Sequence, residues 1–82
     1  MNDANPVAPS DRFSLTFVTE QWEWDVTLQL DTLPEAQSAA RIALENLARE
    51  EAPELACVYV LELGLRVGVW DWVMGEPHWT RL

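Results

Sequence analysis

The side chains able to do chemistry in this 82-residue sequence are few: one cysteine, Cys57, one histidine, His78, and a surplus of carboxylates. A thiol–imidazole catalyst needs the two groups within hydrogen-bond reach, and nothing in the spacing of Cys57 and His78 brings them together. A metal centre needs further cysteine or histidine ligands, which the sequence lacks. The three glycines stand isolated at 64, 68 and 75, so there is no glycine-rich loop to cradle a phosphate. Paired carboxylates such as Glu23 and Asp25 could in principle do acid–base work. On a flat strand face both would be solvated, with ordinary acidity. The sequence therefore predicts no enzyme, no cofactor and no metal. Cys57 sits in the apolar run "LACVYVLEL", which reads as a buried, inert thiol.

What remains is charge. Fourteen acidic residues stand against five arginines and no lysine, a formal net charge of −9. Direct binding to nucleic acid or to an anionic membrane needs the opposite sign. A basic protein surface is the partner this charge fits. The acids gather in two places: Glu23, Asp25 and Asp71 on or beside predicted strands, and Glu50, Glu51 and Glu54 at a predicted helix end.

These groups need a scaffold, and the length allows one domain. A chain this short buries roughly 60–65% of the surface its unfolded form exposes. Residues 1–11, "MNDANPVAPSD", are polar and proline-containing and are expected to form a flexible tail ahead of a single domain over 12–82. They show no signal-peptide pattern, and no apolar run is long enough to span a bilayer, so a cytoplasmic protein is expected. "RFSLTFVT" and "WEWDVTLQLD" alternate as two strands of a hairpin, with Trp24, Val26, Leu28 and Leu30 on one face and Glu23, Asp25, Thr27 and Gln29 on the other. Thr32 and Glu35 have capping-box spacing, Pro34 suits a first turn, and Ala36, Ala40, Ala43, Leu44 and Leu47 make a helical stripe. Together they predict a helix over 33–52, ended by Pro53. Two further strands, 55–63 and 66–74, follow with a turn at Gly64. The expected fold is α+β, a single β-β-α-β-β domain: a four-stranded, mainly antiparallel sheet with one helix on one face. Phe13, Leu15, Phe17, Trp24, Val26, Leu28, Ala40, Ala43 and Leu47 are its predicted core.

Four of the five tryptophans lie in two mirrored segments, "WEWDV" and "VWDWV". In the first, alternation sends Trp24 beneath the helix. In the second, Val67, Val69 and Val73 oppose Trp70 and Trp72, so both faces are apolar and one helix cannot cover both. Exposed apolar surface marks interaction sites, and tryptophan is frequent among interface hot spots. Trp70 and Trp72, with Glu23, Asp25 and Asp71, are thus the candidate partner-binding residues, and Glu50, Glu51 and Glu54 the secondary cluster. Trp70 and Asp71 cannot both face a partner from one regular strand. Trp79 in the C-terminal segment is expected to cap an edge of the core.

The expected function is binding. A small acidic inhibitor would engage a basic surface on a larger protein, such as a nucleic-acid-binding complex, with carboxylates where phosphates would lie. In size, acidity and lack of motifs the chain resembles phage-encoded inhibitors of bacterial defence, including anti-CRISPR proteins. The likeness is one of style and rests on no shared motif. The alternatives are an antitoxin-like regulatory domain acting through self-association as a homodimer, and a small-molecule-binding domain using the tryptophan-lined face. Fold alone does not choose among them.

Overall fold

The computed structural model describes residues 12–50 and 56–82. Along the chain these form β1 (Phe13–Val18), β2 (Glu23–Thr27), α1 (Leu33–Glu50), β3 (Cys57–Glu62), β4 (Leu65–Val73) and β5 (Glu76–Arg81). The strands make one sheet of order β2-β1-β3-β4-β5, antiparallel at every step, with α1 lying across one face. The α+β layout with a single helix on a sheet is as expected, but the count of four strands was wrong. The sheet has five, because "EPHWTR" is a strand and not a tail.

Two features hid β5 from sequence reading. Its turn is Met74–Gly75, without the asparagine or aspartate that usually announces a two-residue hairpin. Met74 and Gly75 nonetheless take φ of 54° and 82°, both in the left-handed region, as Leu63 and Gly64 do (53° and 83°) between β3 and β4. Such turns match the twist of the strands they join. The second feature is Pro77, which argues against a central strand but not against an edge. Val73 pairs with Glu76 across the turn and Trp72 with Pro77. The Leu82 amide donates to the Val67 carbonyl at 3.1 Å, which fixes the alternation of bonded pairs. Pro77 then falls in a non-hydrogen-bonded pair, its nitrogen turned outward, so its missing N–H costs the ladder nothing.

Met74 is 98% exposed in that left-handed conformation. Met74→Asn should therefore stabilise the protein by about 0.5–1 kcal/mol, since asparagine tolerates the conformation and no packing is lost. Urea denaturation would show it; an unchanged or lower midpoint would mean the methionine makes a contact the turn geometry does not reveal.

The threonine half of the capping box forms at the head of α1, while the Glu35 carboxylate reaches the Thr32 hydroxyl and not its backbone N–H. The Thr32 hydroxyl accepts from the Glu35 amide at 3.4 Å and donates to the Glu35 carboxylate at 2.9 Å. Arg41 and Glu45 lie 3.8 Å apart one turn on, while Arg49 donates to Asn46 at 2.7 Å. The stop expected at Pro53 lies outside the described residues, as does the N-terminal segment 1–11. Among the described residues no helix is long and apolar enough to cross a membrane.

The core lies between α1 and the three central strands. Phe13, Leu15 and Phe17 of β1 and Val58 and Val60 of β3 meet Trp70 of β4 and Ala36, Ala40 and Leu44 of the helix. Alanine at two of those helical positions lets the helix sit low on the sheet. Leu28, Ala43 and Leu47 pack at its margin. Trp24 and Val26 depart from expectation: they are 38% and 41% exposed. They do point to the helix side, and Trp24 stacks on its cross-strand partner Phe17 at 5.2 Å. However, β2 is the outermost strand, beyond the reach of a helix about 10 Å wide over strands about 4.8 Å apart. β2 also stops at Thr27, short of the expected 31.

Candidate functional site on the open face of the sheet

No described element covers the sheet face opposite α1. Alternation from the registers places on it Glu23, Asp25 and Thr27 of β2, Ser14, Thr16 and Val18 of β1, and Cys57, Tyr59 and Leu61 of β3. Arg66, Val69, Asp71 and Val73 of β4 and Glu76, His78 and Thr80 of β5 complete it. One cross-strand row reads Glu23, Val18, Cys57, Asp71, His78. The next reads Asp25, Thr16, Tyr59, Val69, Thr80. Glu23, Asp25 and Asp71, three of the acids picked from sequence, are thus brought onto one face. Glu23 and Asp71 stand three strand spacings apart, or about 14 Å. Between them lies a half-buried strip of Val18, Cys57, Tyr59 and Val69.

The charges on this face are not evenly compensated. His78 Nδ1 lies 3.7 Å from Asp71 Oδ1, a buried carboxylate oxygen that accepts no hydrogen bond from the described residues. The Arg66 guanidinium sits 3.9 Å over the Tyr59 ring. At the other end Asp25 accepts the Thr16 hydroxyl proton at 2.6 Å. Glu23 and Asp25, at the β2 end, thus stand without a cation partner among the described residues.

Cys57 and His78 do share the face, but Asp71 stands between them and holds them two strand spacings apart, about 10 Å. That is too far for a thiol–imidazole hydrogen bond. Burial raises the Cys57 pKa above the ordinary thiol value, and the nearby Asp71 carboxylate raises it further, against smaller opposing effects of Arg66 and Tyr59. A thiol so placed stays protonated at neutral pH and is a weak nucleophile. Among the described residues no group of three or more His, Cys, Asp or Glu is arranged to hold a metal ion.

The tryptophans lie on the other side. Trp70 is 7% exposed, and its indole N–H donates to the Gln37 carbonyl of α1 at 2.8 Å. Trp79 leans on it from β5, with ring centroids 5.4 Å apart, and so does cap the core edge. Trp72 shares their face and is half-buried. The choice left open by alternation is settled: Trp70 turns inward and Asp71 outward. Acids and tryptophans of β4 cannot form a single contact surface. The aromatic residue on the acidic face is Tyr59, which the sequence sets on the strand face opposite Val58 and Val60 but does not single out as a site residue. Of the helix-end acids, Glu50 is the last helical residue, and Glu51 and Glu54 lie outside the described residues.

At the β1–β2 turn the Thr19 hydroxyl accepts from the amides of Gln21 (3.2 Å) and Trp22 (2.9 Å). This fixes a shallow depression lined by residues 18–23. No family model, curated protein or solved structure matches the chain.

Proposed function

We propose that the protein acts by binding, and thereby blocking, a basic surface on a larger protein through the open face of its sheet. The observation that carries this reading is the gathering of Glu23, Asp25 and Asp71 on one uncovered face, in a chain of net charge −9. Val18 and Val69, with Tyr59 beneath the Arg66 guanidinium, lie between the acids and supply the apolar part that an interface needs, and the acids its rim. Carboxylates on such a face would occupy a nucleic-acid groove in place of phosphates, as a competitor and not as a nucleic-acid binder. The cell's cytoplasm is the compartment this reading assumes. Trp70 has no part in the contact, because its surface is spent on the core.

The test is binding to the partner captured from nuclease-treated host extract, compared between wild type and the triple variant Glu23→Lys, Asp25→Lys, Asp71→Lys. The variant should lose about tenfold or more in affinity, and wild-type association should slow as salt rises. A folded variant that binds as well as wild type would remove the open face from consideration.

A further inference from the structure

We propose that the outer edge of β2 is a docking strand for an extended segment of a protein partner in which arginine or lysine alternates with apolar residues. The inference rests on the acidic-face reading and specifies how one part of that partner is held.

β2 is exposed along its whole length and, among the described residues, has β1 as its sole neighbour in the sheet. Two backbone bonds fix which of its peptide groups are spare. The Thr19 amide donates to the Trp22 carbonyl at 2.8 Å, and the Leu28 amide to the Phe13 carbonyl at 2.9 Å. Bonded pairs alternate along an antiparallel ladder. Trp24 and Val26 therefore turn their backbone groups to β1, and Glu23, Asp25 and Thr27 turn theirs outward. An unpaired row of this kind is a template for another strand.

Side chains specify which strand. A residue added opposite Glu23 or Asp25 shares the open face with a carboxylate that has no cation partner among the described residues, so a cation fits there. A residue opposite Trp24 or Val26 shares the helix side, where the helix stops short and leaves an apolar ledge. Trp22, 66% exposed, stands beside that ledge. The matching sequence thus alternates basic and apolar residues. A second copy fits badly. The axis that pairs the whole of β2, a twofold at Asp25, sets Asp25 against its own copy across the new ladder. The opposite edge of the sheet, β5, turns the nitrogen of Pro77 outward and is blunted.

The experiment titrates the protein, by calorimetry and amide exchange, with three eight-residue peptides. One alternates arginine and valine. One has the same sequence with N-methyl groups on the arginine amides, which face the edge when arginine lies opposite Glu23 and Asp25. One has the same composition in two blocks. The alternating peptide should bind, with new protection of the Glu23, Asp25 and Thr27 amides, and methylation of the edge-facing amides should weaken it about tenfold or more. Thr27→Pro should do the same, since that nitrogen makes no bond to β1 and no carboxylate is lost. Glu23→Gln with Asp25→Asn should also weaken it. Equal binding of all three peptides would overturn the edge and leave the acidic face standing. Failure of the alternating peptide while the captured partner still depends on Glu23, Asp25 and Asp71 would do the same. Protection of the edge amides in a dimer without peptide would overturn the proposal in favour of a second copy.

Discussion

Trp70→Ala is expected to destabilise the protein by about 3–5 kcal/mol, the range for removing a core aromatic. Trp70 ties three elements together. Its ring lies on β4 under the helix, Arg41 stands 5.5 Å above it, Trp79 of β5 leans against it, and its N–H is held by the Gln37 carbonyl. In a domain whose total stability is of the order of 5–10 kcal/mol, that loss lowers Tm by roughly 15 °C or more. Trp70→Phe keeps an aromatic ring but forfeits the hydrogen bond, about 1 kcal/mol, and part of the buried ring area, so its cost should be smaller than that of alanine. Urea titration followed by circular dichroism measures both. A Trp70→Ala cost under about 1 kcal/mol would refute the role of the indole as the join between sheet and helix. Loss of partner binding in Trp70→Ala would report unfolding and not a lost contact.

Gly68→Ala carries the second large effect, and its sign is diagnostic. Glycine within a strand ordinarily weakens it, so alanine there should help. At Gly68 a Cβ would lie 2.1 Å from two atoms of the Trp79 ring, which crosses directly over the glycine. The indole is rigid and wedged against Trp70, so it must leave or β4 must bend. A loss of about 2 kcal/mol is expected. A double-mutant cycle isolates the cause: in the Trp79→Ala background the same Gly68→Ala change should cost little. An equal cost in both backgrounds would show that the glycine is needed for some other reason, such as the register shift between Val60 and Leu61 on the neighbouring strand.

Local signals were legible in the sequence wherever one signal dominated. The Thr32–Glu35 cap set the start of the helix, and clean alternation gave the facing of β1 and β2. Alternation reports which side chains share a face; it does not report which strand is central. Trp24 was therefore placed on the correct side and given too much burial, because the helix lies over β1 and β3 and β2 is the rim. On β4 the pattern was apolar on both sides, and only the pairing with the helix showed that Trp70 is interior and Asp71 exterior. β5 was missed because Pro77 and the Met74–Gly75 turn lack the usual strand and hairpin signatures. The grouping of Glu23, Asp25 and Asp71 followed from alternation once β4 was oriented. Tyr59 at their centre was visible in the same pattern but overshadowed by the tryptophans.

The strand order also governs the route by which the chain finds its fold. β3, β4 and β5 are joined by two-residue turns, so each of those pairings closes between near neighbours in sequence. β1 must instead insert between β2 and β3, and Leu15 meets Val60 across the whole helix. Closing that long loop costs chain entropy before any contact repays it. The C-terminal meander and the β1–β2 hairpin can therefore form as separate units, and their union along the β1–β3 seam is expected to be the slow, committing step. Truncating Val60 to alanine should slow refolding, while Met74→Asn, at the tip of a local hairpin, should leave that step nearly untouched; stopped-flow refolding in which Val60→Ala altered only the unfolding rate would place the seam after the barrier.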